Sequence, residues 1–322
     1  MTAHNKTKTK KPGAERVQKS NGHKVTTNQP DTKKSVTDFV TEAIIEKLEA
    51  GCIPWRKPWN GSANAPRNLI TKKPYRGINA FILGCCSFAS PWFATFKQIH
   101  EKGGNVKKGA KSIPVVFWSI KEVEDRETGD DKSIPILRYY RVFSLDDVEG
   151  IQAPAMEAIT REFNPIEEAE LIVANMPQRP DVKTGQAKAY YSPALDYVNM
   201  PKSELFHSDE EYYSTLFHEL THCTGHSSRL NRSSVTKSAY FGSGEYSKEE
   251  LIAEMGASFL NAEAGIVSVT LDNSAAYIKG WLTALKSKDN RGLVIQAAAA
   301  AQKAADFILN RGEDGKPQLE AA

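Results

Sequence analysis

His218-Glu219-Leu220-Thr221-His222, inside the run from Tyr212 to Gly225, is the stretch around which the second half of the chain is organised. Leu216, Phe217 and Leu220 form an apolar stripe at helical spacing, which predicts a helix. Ser208 followed by Asp209, Glu210 and Glu211 reads as an N-cap with an acidic first turn, and Gly225 stands where a glycine ends a helix. On such a helix His218 and His222 lie four residues apart and project from one face. Two imidazoles so placed can hold one metal ion, and Glu219 can take a proton from a water that the ion activates. A pair of merely packed or solvated histidines is the plainer alternative. The helical setting and a second acidic helix downstream favour the metal.

A catalytic zinc site needs a third protein ligand and an open position. His226 comes first, but Gly225 ends the helix just before it, and the pattern H-E-x-x-H-x-x-G-x-x-H would need a histidine where Ser228 stands. Glu250 and Glu254, in the segment Ser247 to Phe259, are one helical turn apart and share a face, so either can supply the ligand. Ser247-x-x-Glu250 also reads as a capping box, in which Glu250 only satisfies a helix start. Tyr240 and Tyr246, in the glycine-rich loop before this segment, can donate to an oxyanion but read more simply as ordinary loop aromatics.

Outward from the motif, the chain of 322 residues is 40% hydrophobic and 25% charged, enough for two globular domains. There is no apolar run of membrane-spanning length, and the N-terminus lacks the apolar core of a secretory signal. Cys52, Cys85, Cys86 and Cys223 show no C-x-x-C spacing, so reduced thiols and a cytoplasmic location are expected. The net charge of +3 conceals a segregation. Residues 1–34 carry eight Lys and one Arg against Glu15 and Asp31, a net +7; residues 51–111 carry eight Lys and three Arg against Glu101 alone, a net +10. A basic first third joined to an acidic remainder points to a polyanionic partner for the first part.

Residues 1–34 hold almost no large apolar side chain and read as a disordered basic tail. A helix is expected from Ser35 to Gly51, and another from Ser90-Pro91 to Gly103-Gly104. Strands are expected over Ile113–Ile120 and Ile136–Leu145, with Lys121 to Lys132 as the hairpin loop. Between these, Trp55, Trp59, Tyr75 and Trp92 are interleaved with Arg56, Lys57, Arg67, Lys72, Lys73 and Arg76. Aromatic faces stack unpaired bases while cations track phosphates, the composition of a single-strand binder. The alternative is that the rings form a small core under a solvated basic face. Ordinary surfaces mix both signs of charge, and that tips the reading toward nucleic acid.

A connector is expected over 151–163, then a helix from Asn164-Pro165 and short strands over Lys188–Tyr191 and Tyr197–Met200. A strand just before the metal helix suits an extended substrate bound by β-addition. Ala275–Leu285 and Leu293–Leu309 read as packing helices, and residues 311–322 as a flexible tail. The fold class expected is α+β: a small mixed domain over 35–150, then a mainly helical zincin-like domain over 164–310. No phosphate-binding glycine motif or nucleophile elbow occurs.

Ile53-Pro54-Trp55 through Pro58-Trp59, Pro66-Arg67-Asn68 and Tyr75-Arg76-Gly77-Ile78-Asn79 resemble the N-terminal domain of ArdC-type antirestriction proteins, itself similar to the first part of TraC-type conjugative plasmid primases. His218 to His222, Arg229-Leu230, Glu250 to Glu254 and Trp281-Leu282 look like the companion metallopeptidase domain. The likeness covers about residues 35–310 and omits the tail. It implies a single-stranded-DNA-binding domain fused to a zincin-like domain, encoded on a mobile element such as a plasmid and shielding incoming DNA from host restriction. No primase catalytic block is present, so primase activity is not implied. The similarity to proteases carrying Glu-x-x-x-Glu implies Glu250 as zinc ligand and Glu254 as a carboxylate orienting a histidine.

Two function classes follow. One is a zinc peptidase with Glu219 as general base, brought by single-stranded DNA to proteins bound on the same strand. The other is a non-catalytic protein that coats single strands and uses its metal to stabilise the fold.

Overall fold

In the computed structural model the first helix, α1 (Val36–Glu49), opens on a capping box: the Ser35 hydroxyl accepts from the Asp38 amide while the Asp38 carboxylate accepts from the Ser35 amide. Its stripe of Val40, Ile44 and Leu48 is buried. The residues described are Met1 and 35–51, 53, 65–86, 88–124, 131–155, 164–236, 244–266, 275–287, 290 and 292–312. The expected basic tail, residues 125–130 of the expected hairpin loop, most of the connector and the last ten residues lie outside them.

After α1 come β1 (Arg67–Asn68), α2 (Ile78–Gly84), β2 (Trp92–Thr95), α3 (Phe96–Glu101), β3 (Asn105–Val106), β4 (Ile113–Glu124), β5 (Asp131–Ser144) and β6 (Val148–Glu149). A four-stranded sheet runs β1-β2-β5-β4, antiparallel except between β1 and β2, and β3 pairs with β6. Two expectations are corrected here. The helix expected from Ser90 begins only at Phe96, because Trp92–Thr95 pairs with both β1 and β5; Thr95 then caps α3 through a capping box with Gln98. The hairpin loop is also shorter than expected: Lys121–Glu124 continue β4 against Asp131–Ile134, a charged segment that backbone pairing nonetheless holds as strand. The side chain of Asn79 exchanges two hydrogen bonds with the Val116 backbone, at 2.7 and 2.8 Å, and so closes part of the β4 edge.

The second region starts where Asn164 caps α4 (Pro165–Ala174), with proline at the first helical position as expected. It continues with β7 (Asp181–Thr184), β8 (Tyr190–Ser192), β9 (Tyr197–Met200), α5 (Asp209–Cys223), α6 (Ser233–Thr236), α7 (Gly244–Ala264), α8 (Ala275–Lys286) and α9 (Leu293–Ile308). The three strands are ordered β7-β9-β8, with β8 antiparallel to the central β9 and β7 parallel to it. The sequence pattern does not reveal β7, whose residues are mostly exposed and carry no apolar alternation.

One hydrophobic core runs through both regions. Phe81 of α2 stacks on Phe259 of α7 with ring centroids 4.6 Å apart. Ala297, Ala298, Ala301, Ala304 and Ala305 give α9 a fully buried small-residue face. Polar contacts cross the same junction: Arg76 is ion-paired with Asp306, the Gly77 amide donates to Gln302 at 3.0 Å, and Lys286 pairs with Glu49 at 2.7 Å. Among the described residues no helix is long and apolar enough to cross a membrane.

Candidate metal centre

The expected metal helix forms as α5. Ser208 caps it by accepting from the Glu211 amide, and Leu216, Phe217, Leu220 and Cys223 bury one face. His218, Glu219 and His222 border a cleft of about 910 Å³. The two imidazole Nε2 atoms lie 3.2 Å apart. Glu250 on α7 faces them, 3.7 Å from His218 Nε2 and 3.6 Å from His222 Nε2. Two ligands each about 2.1 Å from a tetrahedral ion are about 3.4 Å apart, so these spacings suit a single ion. Among the described residues, His218, His222 and Glu250 bring one ligand atom each within 4.8 Å of the others.

The capping-box reading of Glu250 is corrected: α7 begins at Gly244, so Ser247 and Glu250 are both inside the helix. His226 also lines the cleft, but its Nδ1 engages Ser228 at 2.8 Å and it stays outside the converging group. Glu254 is likewise outside that group, although its charge reaches His218. Burial pulls the His218 pKa down, but a hydrogen bond to Glu250 and the charges of Glu219, Glu254 and Glu250 leave it raised.

Glu249, which no sequence motif singles out, approaches His222 from behind. Its Oε1 is 3.4 Å from His222 Nδ1, the nitrogen that points away from the cluster. Only 7% of its side chain is exposed, against 32% for Glu250. Arg232 donates to it at 3.1 and 2.5 Å, and the Ser234 hydroxyl at 2.5 Å. Burial raises the Glu249 pKa, but the hydrogen bonds from His222 and Arg232 outweigh it and hold the carboxyl down at about 2. Arg232 also binds the Thr221 carbonyl at 2.8 Å and the Thr224 hydroxyl at 2.6 Å, tying the end of α5 to α7. The only hint in the sequence is the adjacency of Glu249 and Glu250.

The spacing of α5 and α7 depends on Gly256. A Cβ there would lie 2.5 Å from Thr221 Cγ2 and 2.7 Å from its Oγ1. Thr221 has no room to yield, because it is fully buried and its hydroxyl donates to the Phe217 carbonyl at 2.8 Å. On the other wall, β8 is an edge strand of its sheet, and Lys188 to Tyr191 line the cleft. Tyr191 donates to Asp196 at 2.8 Å, and Asp196 is ion-paired with Arg229, which fixes the β8–β9 turn beside the end of α5. Tyr246 lies on α7 rather than in a loop, and Tyr240 is outside the described residues.

The nucleic-acid candidates fare unevenly. Trp55, Arg56, Lys57 and Trp59 lie outside the described residues. Lys72 and Lys73 are exposed in a turn organised by Asn68, whose side-chain oxygen accepts from Ile70 and Thr71. Arg67 is half-buried in β1. Tyr75 is also half-buried, its ring edge against Phe93 and its hydroxyl accepting from Asn68 at 3.3 Å, while Arg76 is held by Asp306. Trp92 belongs to a small core with Leu69 and Ile99.

Comparison with known proteins agrees with this architecture. Residues 34–143 match the family model of the N-terminal domain of anti-restriction factor ArdC, and residues 167–301 that of a zincin-like metallopeptidase. The chain is 33% identical over 301 residues to a DNA primase TraC of Escherichia coli, covering 87% of this chain but only 27% of that protein. An uncharacterized protein, y4eC of Sinorhizobium fredii, is 32% identical over 305 residues, covering 90% of this chain and 97% of that one. The metal-free crystal structure of the antirestriction protein ArdC from plasmid R388 superposes with a TM-score of 0.68 at 38% identity, covering 86% of this chain and 97% of that one. A Mn(II)-bound structure of the same R388 protein superposes with a TM-score of 0.67 at 36% identity, covering 85% and 97%. By sequence, by fold and by the pairing of its two regions, the chain belongs to the ArdC family of antirestriction proteins.

Proposed function

We propose that this protein binds single-stranded DNA through its first region and hydrolyses peptide bonds in its second, acting on proteins carried by the same strand. The observation that carries the hydrolytic half is the convergence of His218, His222 and Glu250 beside Glu219, in a cleft walled by an edge strand. The donor set of two imidazoles and one carboxylate suits Zn(II), which when bound would polarise a carbonyl and acidify a water. Glu219 accepts the proton and returns it to the leaving amine. Glu249 and Arg232 hold the His222 ring with Nε2 toward the cleft. The backbone of β8 aligns an extended peptide by adding it as a further strand.

The test uses purified full-length protein, loaded in turn with Zn(II) and Mn(II), and an unstructured protein substrate with and without a poly-thymidine oligonucleotide. Cleavage that requires the metal, disappears in Glu219→Gln and rises with the oligonucleotide supports the proposal. Full protection from restriction by Glu219→Gln, with no cleavage by the parent protein, would instead favour the strand-coating role. The antirestriction role itself is proposed to act in the cytoplasm, where incoming DNA meets host nucleases.

A further inference from the structure

Exposed rings also stand where the sequence composition does not single them out. We infer that the root of the β4–β5 hairpin, together with Phe39 of α1, is a stacking platform for single-stranded nucleic acid. This rests on the proposed DNA-binding function and assigns it a surface.

Cross-strand register places Phe117 opposite Arg138 and Val115 opposite Tyr140 on one face of the hairpin; Val116 opposite Tyr139, Trp118 opposite Leu137 and Pro114 opposite Arg141 share the other. On the first face Phe117 and Tyr140 are parallel, with centroids 4.5 Å apart and planes at 1°. On the second, Tyr139 stacks on Phe39 at 5.8 Å, and the Arg141 guanidinium lies 5.3 Å from the Phe39 ring centroid. Trp118 is 59% exposed, Tyr140 54% and Tyr139 45%, whereas Trp92 is buried and Tyr75 half-buried. Cross-strand ring pairs stabilise a hairpin by only about 0.2–1 kcal/mol, which does not account for leaving three large aromatics in water.

Charge identifies the occupant. Arg138, Arg141 and Lys111 are exposed here, and residues 102–120 and 133–143 contain no Asp or Glu. A protein-binding surface enriched in Tyr, Trp and Arg would carry both signs on its rim. On the strands the charged side chains beside these rings are cations, with Asp38 and Glu42 flanking Phe39 on α1, and rings interleaved with strand cations match unpaired bases and their phosphates. Residues 121–132 carry six acidic against three basic residues, so the cationic stretches end at Ile120 on one strand and begin at Ser133 on the other.

The experiment is a fluorescence-anisotropy titration of full-length protein with a labelled 20-mer of thymidine at several salt concentrations. Trp118→Ala and Tyr140→Ala should each weaken binding by roughly 5- to 150-fold. Arg138→Glu with Arg141→Glu should also weaken it and reduce the slope against log salt by about 1.4, at about 0.7 for each phosphate no longer neutralised. Leu205→Ala, an exposed residue away from the hairpin, should bind as the parent does. In the unmodified protein the oligonucleotide should protect Trp118, Tyr139 and Tyr140 from oxidative footprinting, a readout that needs no variant to fold. Hairpin variants that bind like the parent, with no footprint, would overturn the platform while leaving DNA binding intact. A parent protein with no affinity for the oligonucleotide would sink the function beneath it. Variants that lose a dimer but keep DNA affinity would make the hairpin a self-association surface and also overturn the inference.

Discussion

The two regions of this protein carry their chemistry in different ways. In the second, two of the three donors are fixed by local geometry: His218 and His222 share a helix face because they are four residues apart, and any α-helix there brings them together, while Glu250 joins them from α7. In the first, rings and cations are spread over strands, turns and a helix, and tertiary packing alone decides which of them reach solvent. Tyr75 is packed and Arg76 is engaged, whereas Tyr139 and Tyr140 are exposed. Spacing thus brings a candidate metal-holding group together, whereas composition leaves open which rings reach solvent.

The sharpest separation of the two is Glu219→Gln. Peptide hydrolysis should fall about 10²- to 10⁴-fold in a cleavage assay, with oligonucleotide affinity unchanged. A parallel loss of DNA binding would mean that the regions do not work independently. Next in size is Phe81→Ala, which removes a ring stacked against Phe259 across the shared core. It should cost about 3–5 kcal/mol in urea unfolding, in one transition seen by both far-UV and tryptophan signals. Two separate transitions would show that the regions are stable apart.

Gly256→Ala should cost about 1–3 kcal/mol and weaken metal binding, since the new methyl forces α7 away from Thr221. Adding Thr221→Ala should recover much of that loss; no recovery would mean that the helix spacing is set elsewhere. Glu249→Ala should reduce metal affinity by about 10- to 100-fold by calorimetry, without touching a ligand. An unchanged affinity would assign Glu249 and Arg232 to holding α5 against α7 alone.

The helices are legible wherever caps and apolar stripes agree, as at Asn164-Pro165 and at Ser208. Trp92–Thr95 misleads because four apolar-rich residues followed by a helix read as one helix; only pairing with β5 makes them a strand. Glu249 is hidden for a related reason. Its neighbour Glu250 has the geometry of a ligand, and nothing local shows that Arg232, seventeen residues earlier, would clamp Glu249. The hairpin aromatics read as ordinary strand residues, because exposure is a property of the folded chain.

The most direct measurement is a Zn(II) titration of metal-free protein, followed by calorimetry, for the parent, Glu250→Ala and Glu254→Ala. We expect one equivalent bound by the parent, affinity largely abolished in Glu250→Ala, and affinity mostly kept in Glu254→Ala. Unchanged binding in Glu250→Ala, with loss in Glu254→Ala, would contradict the assignment of His218, His222 and Glu250 as the metal-holding set.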